Sequence, residues 1–221
     1  MTRKNDRIEK NSNGRRRQMY QKLIEIAELT IVSINNFIHG IDHIARVRDL
    51  ANYISSNIDE DLSWDEKKAL EIAVYWHDIG RIDMQKYSKD YEHAVNSVES
   101  LYNVAERFDM ENDNAIKLAI SAIRNHSRKD SKISRDLIVD RILWDADKMD
   151  IFNVRRVNRI VNYYKQNGNV GEYSLEDSLQ FWNTIDEEFA NNFYFEITKK
   201  MFREEYPKFK ETINMLGKEV L

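Results

Sequence analysis

Apolar residues recur at three-to-four spacing through most of this chain of 221 residues, and polar clusters interrupt them at helix-length intervals. From Gln18, the positions Leu23, Ile26, Ala27, Thr30, Ile31 and Ile34 predict a first helix, broken at Gly40. Asp42 is placed to cap a second helix with Ile44, Val47, Ala51 and Ile54 on one face. Asp59-Glu60-Asp61 reads as a turn. Ser63 and Glu66 then have capping-box spacing and open a third helix. Its stripe, Leu70, Ala73, Val74 and His77, turns His77 inward, and Gly80 is expected to end it. After a predicted loop at 81–89, Ala94, Val98, Leu101 and Ala105 mark a fourth helix. Ile116, Ala119, Ile120 and Ile123 mark a fifth, whose stripe continues to His126. A polar loop is expected at 127–133. A sixth helix is expected from Arg135 towards Asp150, with Ile138, Ile142 and Leu143 inward. The segment Asn167–Gly171 is the clearest break in the second half, and Ser174 opens an aromatic-rich helical region that includes Phe181, Trp182, Phe189, Phe193, Tyr194, Phe195 and Phe202.

Composition agrees with this pattern. One proline, six glycines and 42% hydrophobic residues fit an all-α protein with a real core. The absence of cysteine excludes disulfides, thiolate metal sites and cysteine nucleophiles. No apolar run approaches the roughly 18–20 residues of a membrane span, and the polar N-terminus lacks a signal-peptide core. A cytoplasmic protein without membrane contact is therefore expected. Residues 1–17 hold seven Lys/Arg against two Asp/Glu and are expected to form a disordered basic arm. The remainder is acidic, which argues against a dedicated nucleic-acid binder. Residues 18–167 are read as one helical domain and 168–221 as a C-terminal helical extension packed on it. The extension's aromatic stripe is read as a core face, with a homodimer face as the alternative.

The pair His77-Asp78 stands out, because it closes the apolar run Ile72-Ala73-Val74-Tyr75-Trp76. A buried carboxylate is costly unless it is paired or holds a cation. His43, His77-Asp78, His93, His126 and Asp147 together form the order H…HD…H…H…D across about a hundred residues. Mixed imidazole and carboxylate donors suit Fe, Mn, Ni, Co or Zn better than Ca or Mg. Six such donors exceed what one ion with an open position needs, and suit two ions sharing a carboxylate.

These residues resemble the HD-domain superfamily of metal-dependent phosphohydrolases over roughly Phe37 to Asp150. His39-Gly40-Ile41-Asp42-His43-Ile44-Ala45-Arg46-Val47 looks like the family's first-histidine helix. Trp76-His77-Asp78-Ile79-Gly80 looks like its name-giving motif, and Asp145-Ala146-Asp147-Lys148-Met149-Asp150 like its final ligand motif. Glu92-His93-Ala94 and Arg124-Asn125-His126-Ser127 are similar to the elements that supply a second metal in the binuclear branch.

The resemblance implies an HD-domain helical bundle in which His43, His77, Asp78 and Asp147 hold one metal. Asp78 bridges to a second held by His93 and His126. It further implies hydrolysis of a phosphate ester, of a nucleotide or another small phosphorylated molecule, with water between the two ions as the nucleophile. Asp78 is then the catalytic carboxylate. Arg46, Arg81, Arg128 and Lys148 are the expected phosphate contacts, Arg81 standing where related two-metal phosphodiesterases often carry lysine. His39 is left at the surface or behind the ligands, because Gly40 breaks its register with His43. Asp145 and Asp150 are read as cap or ion-pair residues. Ile151-Phe152-Asn153 replaces the GYP motif of cyclic dinucleotide phosphodiesterases. Two other readings share the same motifs: a mixed-valent di-iron oxygenase, and a nucleotide-sensing module without turnover.

Overall fold

Ala69, Leu70 and every residue from Ile72 to Trp76 are buried, so the helix that carries them is enclosed on nearly all sides. This is α3 (Trp64–Trp76) in a computed structural model that describes residues 2–34, 38–81, 90–127, 135–169 and 174–220. Before it come α1 (Thr2–Ile34) and α2 (Ile41–Ser56). After it come a 3-10 turn (Ile79–Arg81), α4 (Asp90–Glu106), α5 (Asn114–Asn125) and α6 (Ile138–Met149). A second 3-10 turn (Asp150–Phe152) leads to α7 (Val154–Asn167), α8 (Leu175–Asn183), a third 3-10 segment (Glu187–Asn192) and α9 (Glu196–Val220). The protein is all-α, with no β-strand among the described residues.

Helices α1, α2, α5 and α6 pack directly on α3, and α4 packs on the turn that follows it. Leu23, Ile44, Ile54, Ile72, Leu101, Ile116 and Ile142 meet in this first core. Each fully buried side chain of this size contributes roughly 1.5–3 kcal/mol. A second core begins at Met149 and gathers Phe152, Val157, Ile160, Trp182, Phe193, Phe202 and Phe209. Phe152 is its hub, with ring centroids 4.7 Å from Phe202 and 5.2 Å from Phe209. The packing boundary thus falls near Met149, ahead of the boundary expected at 167/168. The two cores are joined through α6: the Asp145 carboxylate accepts from the backbone amides of Tyr194 (3.0 Å) and Phe195 (3.1 Å), and Trp144 Nε1 donates to the Asn192 carbonyl (3.1 Å).

Several local expectations are revised. The segment 1–17, expected as a disordered arm, is drawn into α1 from Thr2. Its end is held by tertiary contacts: Arg16 donates to Asp113 (2.6 Å) and Asp65 (3.0 Å) and lies 4.8 Å from the Trp64 ring. Helix α2 starts two residues early, capped at Gly40, and Asp42 sits in its first turn, paired with Arg159. Helix α3 ends at Trp76 rather than at Gly80, which places His77 and Asp78 on the turn that follows. The capping box of Ser63 and Glu66 forms, and a second one forms between Ser174 and Asp177. Helix α6 spans Ile138–Met149, shorter than the stretch expected from Arg135. The predicted loops lie outside the described residues at 82–89 and 128–134.

Candidate metal centre

Five helix ends converge where the HD pair sits. His43 lies in the first turn of α2, His77 and Asp78 follow α3, and His93 is in the first turn of α4. His126 caps the end of α5, and Asp147 lies in the last turn of α6. All four of these histidines and Asp78 are buried. The donor atoms form two groups that meet at Asp78. In the inner group, His43 Nε2 lies 3.2 Å from His77 Nε2, 3.4 Å from Asp147 Oδ1 and 3.5 Å from Asp78 Oδ2. In the outer group, His93 Nε2 lies 3.0 Å from His126 Nε2, and these two atoms lie 3.3 and 3.6 Å from Asp78 Oδ1. Donors that share one ion at about 2.0–2.1 Å stand roughly 3.0–3.5 Å apart. Both groups have that spacing, and Asp78 gives one oxygen to each.

The far side of three rings explains why the Nε2 atoms turn inward. His43 Nδ1 donates to Asp150 Oδ2 (2.7 Å), His77 Nδ1 to the Val74 carbonyl (2.9 Å) and His126 Nδ1 to the Ile123 carbonyl (2.5 Å). An Nδ1–H donor leaves the Nε2 lone pair of a neutral ring directed at the centre. Burial pushes the His77 imidazole down to about 4 and holds that of His93 lower still, so both are neutral at pH 7. Burial opposes a charge on His43 too, but Asp147, Asp150 and Asp78 together raise it to about 10, so without an ion its Nε2 carries a proton whose place a metal would take. Burial likewise disfavours ionised Asp78 and Asp147. Arg81, His39 and His77 nevertheless hold Asp78 well below the usual carboxylate range, as Lys148 and His43 do for Asp147. Lone pairs and carboxylates facing one another at these distances repel unless a cation lies among them. The donor set therefore fits divalent metal.

The HD turn is clamped from behind. Ser97 Oγ accepts the Gly80 amide (2.8 Å) and donates to the His77 carbonyl (2.7 Å). A Cβ on Gly80 would stand 2.1 Å from the His93 carbonyl oxygen, so only glycine lets α4 bring His93 this close.

The cationic residues expected to meet phosphate take different places. Arg81 Nε donates to Asp78 Oδ1 (2.7 Å) and Arg81 Nη2 to His93 Nε2 (3.1 Å). Lys148 Nζ donates to Asp147 Oδ2 (2.8 Å). Arg46 is turned to Asp150 through Nε (2.5 Å) and Nη2 (3.1 Å), one layer behind the Nε2 atoms. Arg128 lies outside the described residues. His39, set aside in the sequence, donates from Nδ1 to Asp78 Oδ2 at 2.6 Å. That is a hydrogen-bond distance, shorter than the spacing between the converging donors, so His39 steers Asp78 from outside the donor groups. Asp150 is fully buried and touches Arg46, Arg156 and His43 together. The sequence signal for it was the shared face of His43 and Arg46, three residues apart on α2, and of Asp147 and Asp150 at the same spacing.

With this geometry in place, the HD domain family model matches residues 40–151. The chain belongs to the HD domain family. Within the matched HD segment lie His43, His77, Asp78, His93, His126 and Asp147. A comparison with curated proteins finds no match. Among solved structures, this HD protein is similar in fold to the Lin1889 protein of Listeria innocua, with a TM-score of 0.57 and 21% identity over 91% of this chain and 97% of that one. It is similar also to Bacillus subtilis YpgQ, solved in complex with ADP, with a TM-score of 0.56 and 21% identity over 88% of this chain and 97% of that one. No helix among the described residues is long and apolar enough to cross a membrane.

Proposed function

We propose that this HD protein is a metal-dependent phosphohydrolase that cleaves a phosphate ester in a nucleotide or another small phosphorylated molecule. The observation that carries this reading is the division of Asp78. Its Oδ2 faces His43 and His77, whose Nε2 atoms also face Asp147 Oδ1, and its Oδ1 faces His93 and His126. These six residues would hold two divalent ions of the Fe, Mn, Ni, Co or Zn type. When bound, such ions acidify water to near neutrality and draw off charge that develops on phosphoryl oxygens.

The chain's own residues supply the rest. His39 donates to Asp78 Oδ2 and Arg81 to Asp78 Oδ1, so the carboxylate is held with one oxygen turned to each group of ring nitrogens. Arg81, Lys148 and His39 are partly exposed, at 17–18% of their side-chain surface, while Asp78 and His93 beneath them are buried and Asp147 is partly so. Arg81 and Lys148 form a cationic rim, with His39, pushed down to about 3 by burial, as a neutral donor beside them, which suits an anionic substrate entering from solvent. Arg81 and Lys148 are the cations we assign to the phosphate, with Arg46 behind them and Arg128 as a further candidate. The family membership supports hydrolase chemistry, and the ADP complex of YpgQ supports a nucleotide as the class to try first.

The test is phosphate or pyrophosphate release from a panel of nucleoside mono-, di- and triphosphates and simple phosphate esters, using protein loaded in turn with Mn, Fe, Ni and Co. Turnover that disappears in Asp78→Asn is the expected result. No turnover with any metal, or turnover that survives Asp78→Asn, would reject the reading.

A further inference from the structure

The two halves of the metal centre are not equivalent, and Arg81 is the reason. Its guanidinium spans the outer half, with Nε on Asp78 Oδ1 at 2.7 Å and Nη2 on His93 Nε2 at 3.1 Å. A guanidinium is always charged and only donates hydrogen bonds. His93 Nε2 must therefore be the acceptor. A ring nitrogen has one lone pair in the plane of the ring, and can give it to Arg81 or to a metal, not to both. The Asp78 oxygens differ in this respect, since each carboxylate oxygen has two lone pairs and can serve a hydrogen-bond donor and an ion together. In the inner half, no cationic side chain among the described residues bonds a ring nitrogen. Lys148 donates to Asp147 Oδ2, while Asp147 Oδ1 is the atom that faces His43. His39 bonds Asp78 Oδ2.

We propose that Arg81 competes with the second metal ion for His93. The inner half, His43, His77, Asp78 and Asp147, takes an ion without displacing any side chain from its ring nitrogens. The outer half, His93, His126 and Asp78, takes one only when Arg81 swings away, and the repulsion between the guanidinium and a divalent ion opposes its return. With one ion bound, Arg81 supplies the positive charge of the outer half. With two, it is displaced towards the rim. The inference rests on the metal-site reading above, and refines it from a symmetric pair to a strong site and a gated one. Arg81 is the chain's own choice at this place, and it fills a position where a shorter or neutral side chain would leave His93 to the ion.

The experiment is titration of metal-free protein with Mn2+, followed by equilibrium dialysis with metal analysis and by EPR, where an isolated ion and an exchange-coupled pair give different spectra. For the unmutated chain the expected result is one tightly held ion and a second held about tenfold or more weakly. In Arg81→Met and Arg81→Gln the second ion should tighten by about tenfold or more, the pair spectrum should appear at lower Mn2+, and the first affinity should stay within about threefold. His126→Ala added to either variant should remove the second ion and keep the first. Equal affinity for two ions in the unmutated chain overturns the proposal by itself, whatever the variants do. So does an unchanged second affinity in Arg81 variants whose circular dichroism shows an intact fold. Either result leaves the phosphohydrolase reading standing. An unmutated chain that binds none of Mn2+, Fe2+, Co2+, Ni2+ and Zn2+ in the same dialysis rejects that reading, and this inference with it.

Discussion

The imidazole of His43 and the carboxylate of Asp150 are joined by a 2.7 Å hydrogen bond from Nδ1 to Oδ2. Asp150 is fully buried and is itself held by both donor edges of Arg46. The arrangement fixes the His43 ring and raises the basicity of its Nε2, as carboxylates behind metal-binding histidines do. Asp150→Asn should therefore lower first-ion affinity by about 10–100-fold, although Asp150 contacts none of the Nε2 atoms. Isothermal titration with Mn2+ checks this, and an affinity equal to that of the unmutated chain would remove Asp150 from the site.

Gly80→Ala tests how His93 is brought in. The added Cβ would lie 2.1 Å from the His93 carbonyl oxygen and 2.8 Å from both Asn96 Cβ and the Ser97 amide. Two of the three obstacles are backbone, so α4 must move. Such overpacking costs about 1–3 kcal/mol. The expected outcome is a lower Tm and loss of the outer ion, with the inner ion kept. A variant that melts like the parent and still binds the outer ion would show that α4 does not rest on the HD turn.

Much of this site was legible because its residues lie at the ends of strongly patterned helices. His77 ends the inward stripe of α3 and His126 that of α5, so local periodicity was enough to aim both. His39 was not legible. It precedes the Gly40 cap, and its reach to Asp78 depends on the turn that leads into α2 rather than on any periodic face. Asp150 was seen as an ion-pair residue, but its tie to His43 joins positions 107 apart in sequence. The same distance effect hid the docking of Arg16, whose partners come from α3 and from the cap of α5. Composition made residues 1–17 look solvated, and only the assembled helices supply the carboxylates that hold its end.

Asp113 joins three jobs in one carboxylate. It caps α5 by accepting from the Ala115 amide (2.9 Å), accepts from Tyr20 Oη (2.6 Å) and pairs with Arg16 (2.6 Å). Burial alone would raise its pKa, but the bonds from Arg16 and Tyr20 bring it below the ordinary 3.8. A carboxyl depressed in the fold contributes stability above its unfolded pKa, and loses that contribution as pH falls through the folded value. Asp113→Asn should thus cost about 1–2 kcal/mol at neutral pH, and the difference from the parent should shrink below about pH 4. Urea unfolding at pH 7 and pH 3 checks it, with Mn2+ binding at pH 7 unchanged. A difference that is the same at both pH values would assign the loss to packing instead.

Phe152 follows α6 by three residues and centres the second core, with Phe202 and Phe209 against it. Phe152→Ala should cost about 3–5 kcal/mol, the range for a buried aromatic whose cavity refills only in part. Because the 3-10 turn Asp150–Phe152 also carries the buttress of His43, the variant should lose inner-ion affinity as well as stability. Intact metal affinity in a destabilised variant would show that the second core supports the fold without orienting the site.

Metal removal provides the most direct test of the centre as a whole. Folding brings four imidazoles and two carboxylates to within 3.0–3.7 Å of a neighbouring donor, and a shared cation relieves their repulsion. An ion that binds the folded chain and not the unfolded one adds about 2.7 kcal/mol at a hundredfold excess over its Kd. Adding chelator to Mn2+-loaded protein should therefore lower Tm by several degrees, and restoring Mn2+ should recover it. The decisive control is His77→Ala, which removes an inner ring nitrogen and, on the far side of the ring, only a hydrogen bond to the Val74 carbonyl among the described residues. In that variant the chelator-induced shift should shrink towards zero. In His126→Ala it should persist, because the inner half keeps all four of its donors. Equal shifts in the two variants would mean that the stabilising ion does not sit where His43, His77, Asp78 and Asp147 meet.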